Sequence, residues 1–352
     1  MNHPANHASR VPWSISATDP LVIAEIGVNH DGDLTRCLEL VHAAGSSGAD
    51  AVKFQWFDPD QLLSTSSSVV TYQKEAGESD PRAMLGRLSL SIDQFAEAAA
   101  LADSLGLLAG VTVFTPALVE AAARLPWSFL KTASPDLGNR PLLDALRGTG
   151  RPLILSTGGH GMQEVVRAVS WVGPRDLALL QCVSSYPTQL DDAALAGIRL
   201  IAGTTGLPVG YSDHTKSIQA GGLAVAAGAT ILEKHLTLDR SRSGPDHALS
   251  LEPAAFQEYV RFAREARRML GGPDKAVQDC EVEVRLASAQ SVAVREPVPA
   301  GAPIPRGALT TMRPGGGISP DRLDSLVGRR AARDLVPGSL LGEDDLRDEV
   351  GT

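Results

Sequence analysis

Two histidines, His214 and His235, each close an apolar run, in PVGYSDH (208 to 214) and ATILEKHLT (229 to 237). On neighbouring strands their imidazoles would converge on one divalent cation; the alternative is a pair of hydrogen-bonded strand-end histidines. With no cysteine nearby, water and substrate oxygens would complete the shell, which suits a catalytic ion better than a structural zinc. Lys53 and Lys131, two of only six lysines against 26 arginines, also end apolar runs beside hydroxyl residues. Two ammonium groups with the hydroxyls of Thr112, Ser134, Ser156 and Ser212 make a pocket for a phosphate or phosphate ester. Either lysine could instead form a Schiff base, but two cations beside a metal favour an anion-plus-metal mechanism. Glu25, the sole carboxylate of its run, is a general acid or base, or else an ion-pair partner for a lysine.

The runs that carry these groups number eight: LVIAEIG (21 to 27), AVKFQWF (51 to 57), LLAGVTVF (107 to 114), FLKTAS (129 to 134), PLILST (152 to 157), LALLQCVSS (177 to 185), PVGYSDH and ATILEKHLT. Helical stretches such as 91 to 106, 161 to 173 and 252 to 272 alternate with them, the last closing on a Gly pair. Eight βα units over 21 to 272 predict an α/β fold, a (β/α)8 TIM barrel. An open doubly wound sheet is the runner-up, but the first run leads into GVNHDG and not a G-x-G-x-x-G turn. In a barrel the C-terminal strand ends share one mouth. There Glu25, Lys53, Gln55, Thr112, Lys131, Ser134, Ser156, Ser184, Ser212, Asp213, His214 and His235 would collect. The polar insertion from Asp58 to Leu90 is expected to form a lid over them.

Beyond Gly272 the chain turns rich in Pro and Gly, with two similar phrases, VREPVPAGAPIPRGALT and AARDLVPGSLLGEDDL. A linker over 273 to 284 and a small β-rich domain over 285 to 352 are expected, and residues 1 to 20 read as a polar tail. That start lacks a secretory signal, and no apolar stretch is long enough for a bilayer, so the cytoplasm is the expected location, without a membrane partner. A net charge of -9 and a pI near 5.4 argue against nucleic acid as the main partner. Cys37, Cys182 and Cys280 are read as small core residues.

The phrases AEIGVNHDG (24 to 32), ADAVKFQ (49 to 55), ILSTGG (154 to 159), GYSDHT (210 to 215), EKHLTLDRSRSGPDHALSLEP (233 to 253) and MRPGGGISP (312 to 320) occur in this order. Together they resemble the sialic acid synthase family, the phosphoenolpyruvate-dependent N-acetylneuraminate synthases with a C-terminal antifreeze-like (SAF) domain. The resemblance implies condensation of phosphoenolpyruvate with an open-chain N-acetylated hexosamine or related aldose to a 2-keto-3-deoxy sugar acid, with release of phosphate. It implies Mn2+ or Mg2+ on His214 and His235, and phosphoenolpyruvate on Lys53, Thr112, Lys131, Ser134, Ser156, Ser184 and Ser212. Glu25 would handle protons, while Gln55, Asp136, Tyr186 and Asp246 would contact the sugar. It further implies a domain-swapped homodimer in which Arg313 enters the partner's site. The family's K-x-x-S-G-E reads KTASPD here, placing Asp136 where a glutamate is usual; Ser184 stands where an asparagine is frequent, and VTVFTP leaves Thr112 and Thr115 as alternatives. These departures fall on the sugar side. GPDH (244 to 247) resembles the neuraminate and legionaminate branches more than the pseudaminate one. Two other readings are a metal-dependent aldolase or lyase acting through a pyruvate enolate, and a catalytically silent binding homologue.

Overall fold

The computed structural model describes residues 19 to 347, so the tail expected over 1 to 20 lies, apart from Asp19 and Pro20, outside the described residues. The described chain forms two compact units that meet between Gly271 and Gly272.

The first unit is a closed barrel of eight parallel strands in sequence order: β1 Leu21–Glu25, β2 Ala51–Trp56, β3 Leu108–Val113, β4 Phe129–Thr132, β5 Leu153–Ser156, β6 Leu177–Cys182, β7 Val209–Asp213 and β8 Ile231–His235. β8 closes on β1, with Glu25 opposite His235. Each strand lies within one expected run and is shorter than it, because ladder pairing stops where the chain turns outward. His214 therefore is the first residue past its strand, and Ser134 and Ser184 are the second past theirs, with Ser134 opening the 3-10 turn Ser134–Gly138.

Side chains alternate across each strand, so residues two apart share a face. One face of the strands puts Ile23, Ala51, Phe129, Ile154, Ala178, Leu180 and Ile231 into an apolar cluster inside the barrel. Phe129 reaches across to Gly110, where a Cβ would run into its ring. One step further along the same face come Glu25, Lys53, Lys131, Ser156, Cys182 and Glu233. The opposite face packs Val22, Val52, Phe54, Leu130 and Leu155 under the surrounding helices.

Helix starts follow local chemistry. Ser91 caps Ile92–Ser104 in a capping box with Gln94, and Pro253–Leu270 ends on Gly271 at positive φ. The insertion forms the short helices Pro59–Leu62, Thr71–Glu75 and Pro81–Leu88. Met84 and Leu88 anchor it on Val28 and Phe57.

In the second unit β9 Ser291–Val294 pairs antiparallel with β10 Leu309–Met312 over a core that includes Val292, Ile304, Leu326 and Leu341. The two similar phrases face each other, with Val298 and Leu335 exchanging both backbone hydrogen bonds at 3.1 and 2.9 Å. The helix Val282–Ser288, which precedes β9, spans part of the expected linker. Cys37 and Cys182 are buried, but Cys280 is exposed and so is not the core residue the sequence suggested. No described helix is long and apolar enough to cross a membrane.

Candidate active site

A cavity of about 680 Å3 lies at the C-terminal ends of the barrel strands. It is lined by Glu25, Lys53, Gln55, Thr112, Lys131, Ser134, Ser156, Ser184, Tyr186, Ser212, His214, His235 and Asp246, all expected from the sequence. A slightly larger cavity, about 720 Å3, opens at the other end of the barrel among Leu21, Asp50 and Leu108, and none of the expected residues lines it.

On the floor, Lys53 pairs closely with Glu25 and donates to Thr112 Oγ1 at 2.7 Å. Lys131 Nζ lies 3.4 Å from Glu233 Oε1, which also accepts from Ser212 Oγ at 2.9 Å, and Glu233 Oε2 is 3.9 Å from Lys53 Nζ. All four charged groups are at most 4% exposed, so their pairing sets their protonation. Burial pushes the Glu25 carboxyl up, with Lys53 only partly offsetting it. Burial alone would also raise Glu233, but Lys131, Lys53 and the Ser212 hydroxyl outweigh it and hold Glu233 below the ordinary carboxylate range. Lys131 is pushed down by burial, whereas Glu233 and Glu25 keep Lys53 above the ordinary range despite its burial.

Glu233 is the functional residue that reading the sequence left out of the site. The signal was available: Glu233 is two residues before His235 on β8, so the strand period places both on one face. Lys234 and Asp213, on the opposite face, pair at 3.0 Å behind the sheet, beneath the Tyr259 ring. The polar ending of β7 is thus divided, with Ser212 in the cavity and Asp213 outside it.

Further up, Gly158 donates its amide to Ser134 Oγ at 3.1 Å. A Cβ on Gly158 would lie 2.5 Å from Ser184 Oγ and 2.9 Å from both Cys182 Sγ and Ser134 Oγ, so the close approach of this loop requires glycine. The Ser156 hydroxyl is buried without a hydrogen-bond partner and is free to meet a ligand.

The His214 and His235 rings stand 5.6 Å apart between centroids. His214 Nδ1 is 2.9 Å from the Val183 carbonyl; donating there leaves Nε2 with a free lone pair. Burial and the cationic neighbours keep His235 neutral, with Nδ1 buried, without a hydrogen bond and 3.5 Å from Asp246 Oδ2. Against its burial, Cys182, the Val183 carbonyl and Glu233 raise the proton affinity of His214, so it is the more basic of the two rings; with a carboxylate close by, the pair of imidazoles fits a divalent cation that would take the place of that proton. Among the described residues no group of three or more His, Cys, Asp or Glu side chains forms a complete metal cage, so the shell would need ligands from outside the protein.

Asp246 reaches the cavity from the loop after β8, and burial together with Glu25 pushes it up to about 7. The insertion adds Val70, Thr71, Tyr72 and Glu75, and Tyr72 lies against Tyr186 at 5.0 Å, with Tyr186 against His214 at 4.3 Å. None of these four insertion residues was singled out by the sequence, because the segment that carries them has no periodic pattern. Cys182, read there as a core residue, lines the cavity too, its sulfur 3.4 Å from Ser134 Oγ.

Asp136 is outside the lining, in the turn after β4, where its carboxylate accepts from Asn139 Nδ2 at 3.2 Å. Pro135, the residue before it in that turn, lines the cavity. Arg313 is an exposed residue of the second unit directly after β10. Of the two threonines left as alternatives, Thr112 lines the cavity and Thr115 precedes the helix Pro116–Ala123.

Residues 40–275 match the NeuB family and residues 289–347 match the SAF domain. An N,N'-diacetyllegionaminic acid synthase of Legionella pneumophila is 39% identical, covering 91% of this chain and 92% of its own. An N-acetylneuraminate-9-phosphate synthase of Mus musculus is 33% identical over 88% of each. Among solved structures, the N-acetylneuraminic acid synthetase of Leptospira borgpetersenii superposes with a TM-score of 0.70 at 32% identity, covering 76% of this chain and 90% of that one.

Proposed function

The chain belongs to the NeuB family, and on that premise we propose that it is a nonulosonate synthase, joining phosphoenolpyruvate to an open-chain N-acylated aldose. The methylene carbon of phosphoenolpyruvate bonds to the aldehyde carbon, water adds at the neighbouring carbon, and the bond from that carbon to the phosphate oxygen breaks. A 2-keto-3-deoxy sugar acid and inorganic phosphate leave. The observation that carries this reading is the pairing of two buried ammonium groups with hydroxyls around one cavity that also holds two imidazoles.

Lys53, Lys131, Thr112, Ser134, Ser156, Ser184 and Ser212 bind phosphoenolpyruvate. Its anionic groups replace water against donors that the fold already holds in place. Glu25, whose proton affinity is raised by burial, moves a proton as water adds. Gln55, Asp136, Tyr186 and Asp246 contact the sugar, Asp136 from the turn after β4. His214 and His235 would hold Mn2+ or Mg2+, and such an ion would supply Lewis-acid polarisation of the aldehyde oxygen. Arg313 is proposed to act in the partner subunit of a domain-swapped homodimer, completing the sugar side of its cavity.

The test is incubation of the full-length protein with phosphoenolpyruvate, Mn2+ and a panel of N-acetylated hexosamines, following free phosphate and the mass of the keto acid. Acceptor-dependent release of one phosphate per keto acid is expected. Folded, metal-loaded protein that releases none with any acceptor would overturn the proposal.

A further inference from the structure

We infer that Lys234 and Asp213, which line no part of the cavity, are positioning residues that set the spacing of the His214 and His235 imidazoles and, through it, the affinity for a divalent cation. The inference rests on the metal reading proposed above and names the device by which two side chains from separate strands act as one site. Both groups are wholly buried behind the sheet, and that reading gives neither of them a role.

His235 is the last residue of β8 and lies within the ladder, opposite Glu25. His214 is one residue beyond β7, whose final ladder pair joins Asp213 to Lys234. Contacts other than the ladder must therefore fix its orientation. Asp213 Oδ1 accepts from the Thr215 amide at 2.8 Å, the N–H of the peptide directly after His214. Lys234 Nζ donates to the Thr215 carbonyl in a close contact and lies 3.0 Å from Asp213 Oδ2. One ammonium group, on the residue before His235, thus grips the chain on both sides of His214. The Thr188 amide adds an anchor on the cavity side, donating to the His214 carbonyl at 3.0 Å.

Taking two charges out of water costs more than their attraction returns unless further hydrogen bonds satisfy them. Here those bonds go to the Thr215 backbone, and the Tyr259 ring, from the helix Pro253–Leu270, covers the ammonium group at 5.5 Å. Gly221, on the helix Ala220–Ala226, makes room for that ring, since a Cβ there would lie 2.5 Å from Tyr259 Cζ. Two apolar side chains of similar volume would hold β7 to β8 as well or better. They could not hold the Thr215 N–H and C=O, and would leave His214 to turn away from the position that puts its ring 5.6 Å from that of His235. Strand cohesion and imidazole spacing are therefore separable, and the ion pair is needed for the second.

The experiment measures Mn2+ binding to the full-length, substrate-free protein by the loss of the free-ion electron paramagnetic resonance signal, alongside thermal melts, for wild type, Lys234→Met and the double variant Lys234→Met/Asp213→Val. Lys234→Met leaves a buried carboxylate unpaired and should lose both stability and affinity. The double variant should regain most of the lost melting temperature while its dissociation constant for Mn2+ stays raised by about tenfold or more. Affinity that recovers together with stability overturns the inference, because the pair would then serve the fold alone. If the double variant does not regain stability, Asp213→Asn, nearly equal in size, takes its place with the same expected loss, and wild-type affinity in that variant overturns the inference. Absence of Mn2+ binding by the wild-type protein overturns the metal reading itself, and this inference with it.

Discussion

Four charged side chains share the floor of the barrel, and the pairs they form decide what each can do. Glu233 accepts from Ser212 and is 3.4 Å from Lys131, an ammonium group that burial pushes toward neutrality and that Glu233 opposes. Replacing Glu233 by Gln removes that opposition, so Lys131 loses its proton at lower pH. The alkaline limb of the kcat/KM profile for phosphoenolpyruvate should move to lower pH by about one unit, with a loss of about tenfold or more at neutral pH. An alkaline limb that stays where it is would show that Lys131 is held by other means. At this scale much of the site was legible, since Glu25, Lys53, Lys131, His214 and His235 each interrupt or end an apolar run, where a buried strand has no reason to carry charge. Glu233 stood in the same run but was missed because two-residue alternation, not the run's ending, is what assigns a face. Asp136 was named from a family phrase alone, and it sits in the turn after β4 next to Pro135, which lines the cavity.

Among the elements, the first and last strand loops are tied together above the floor. Asp31, at φ 52°, takes His247 Nε2 at 3.1 Å and Arg36 Nη1 at 2.9 Å, while His247 Nδ1 lies 2.7 Å from Thr237 Oγ1. His247 directly follows Asp246, so this tie positions the cavity carboxylate. Asp31→Ala should raise KM for the sugar about tenfold and leave KM for phosphoenolpyruvate within about twofold, since the floor is untouched. An equal rise in both would mean general loosening of the barrel. His30, beside Asp31, supplies a second expectation. Burial lowers it from 6.5 to about 4, so the folded protein binds this proton more weakly than the unfolded chain does. The stability it contributes is fully present above about pH 6.5 and is lost as pH falls toward about 4, up to about 3 kcal/mol at the acid end. His30→Asn should flatten that acid limb in thermal melts followed between pH 7 and pH 4, and a limb identical to wild type would contradict the assignment. The eight strands were readable because each is a bounded run of apolar and β-branched residues. The insertion helices, of four, five and eight residues, were not, being too short to show a period.

For the whole molecule, a mixing experiment tests the proposed domain-swapped arrangement. Lys53→Ala spoils the barrel but leaves Arg313 intact, and Arg313→Ala does the reverse. Each variant alone should be nearly inactive, and refolding them together should restore up to about one quarter of wild-type activity through mixed dimers with one complete site. No recovery, with mixed dimers present, would place Arg313 outside the partner's cavity. The two-domain plan was legible in the change of composition after Gly272, whereas the helix Val282–Ser288 was hidden within what read as linker. The reaction as a whole rests on water adding to the carbon that bears the phosphate oxygen. Phosphoenolpyruvate labelled with 18O at the bridging oxygen tests this most directly. The label should appear entirely in the released phosphate, and its retention in the keto acid would show cleavage at phosphorus through an enolate, contradicting the account.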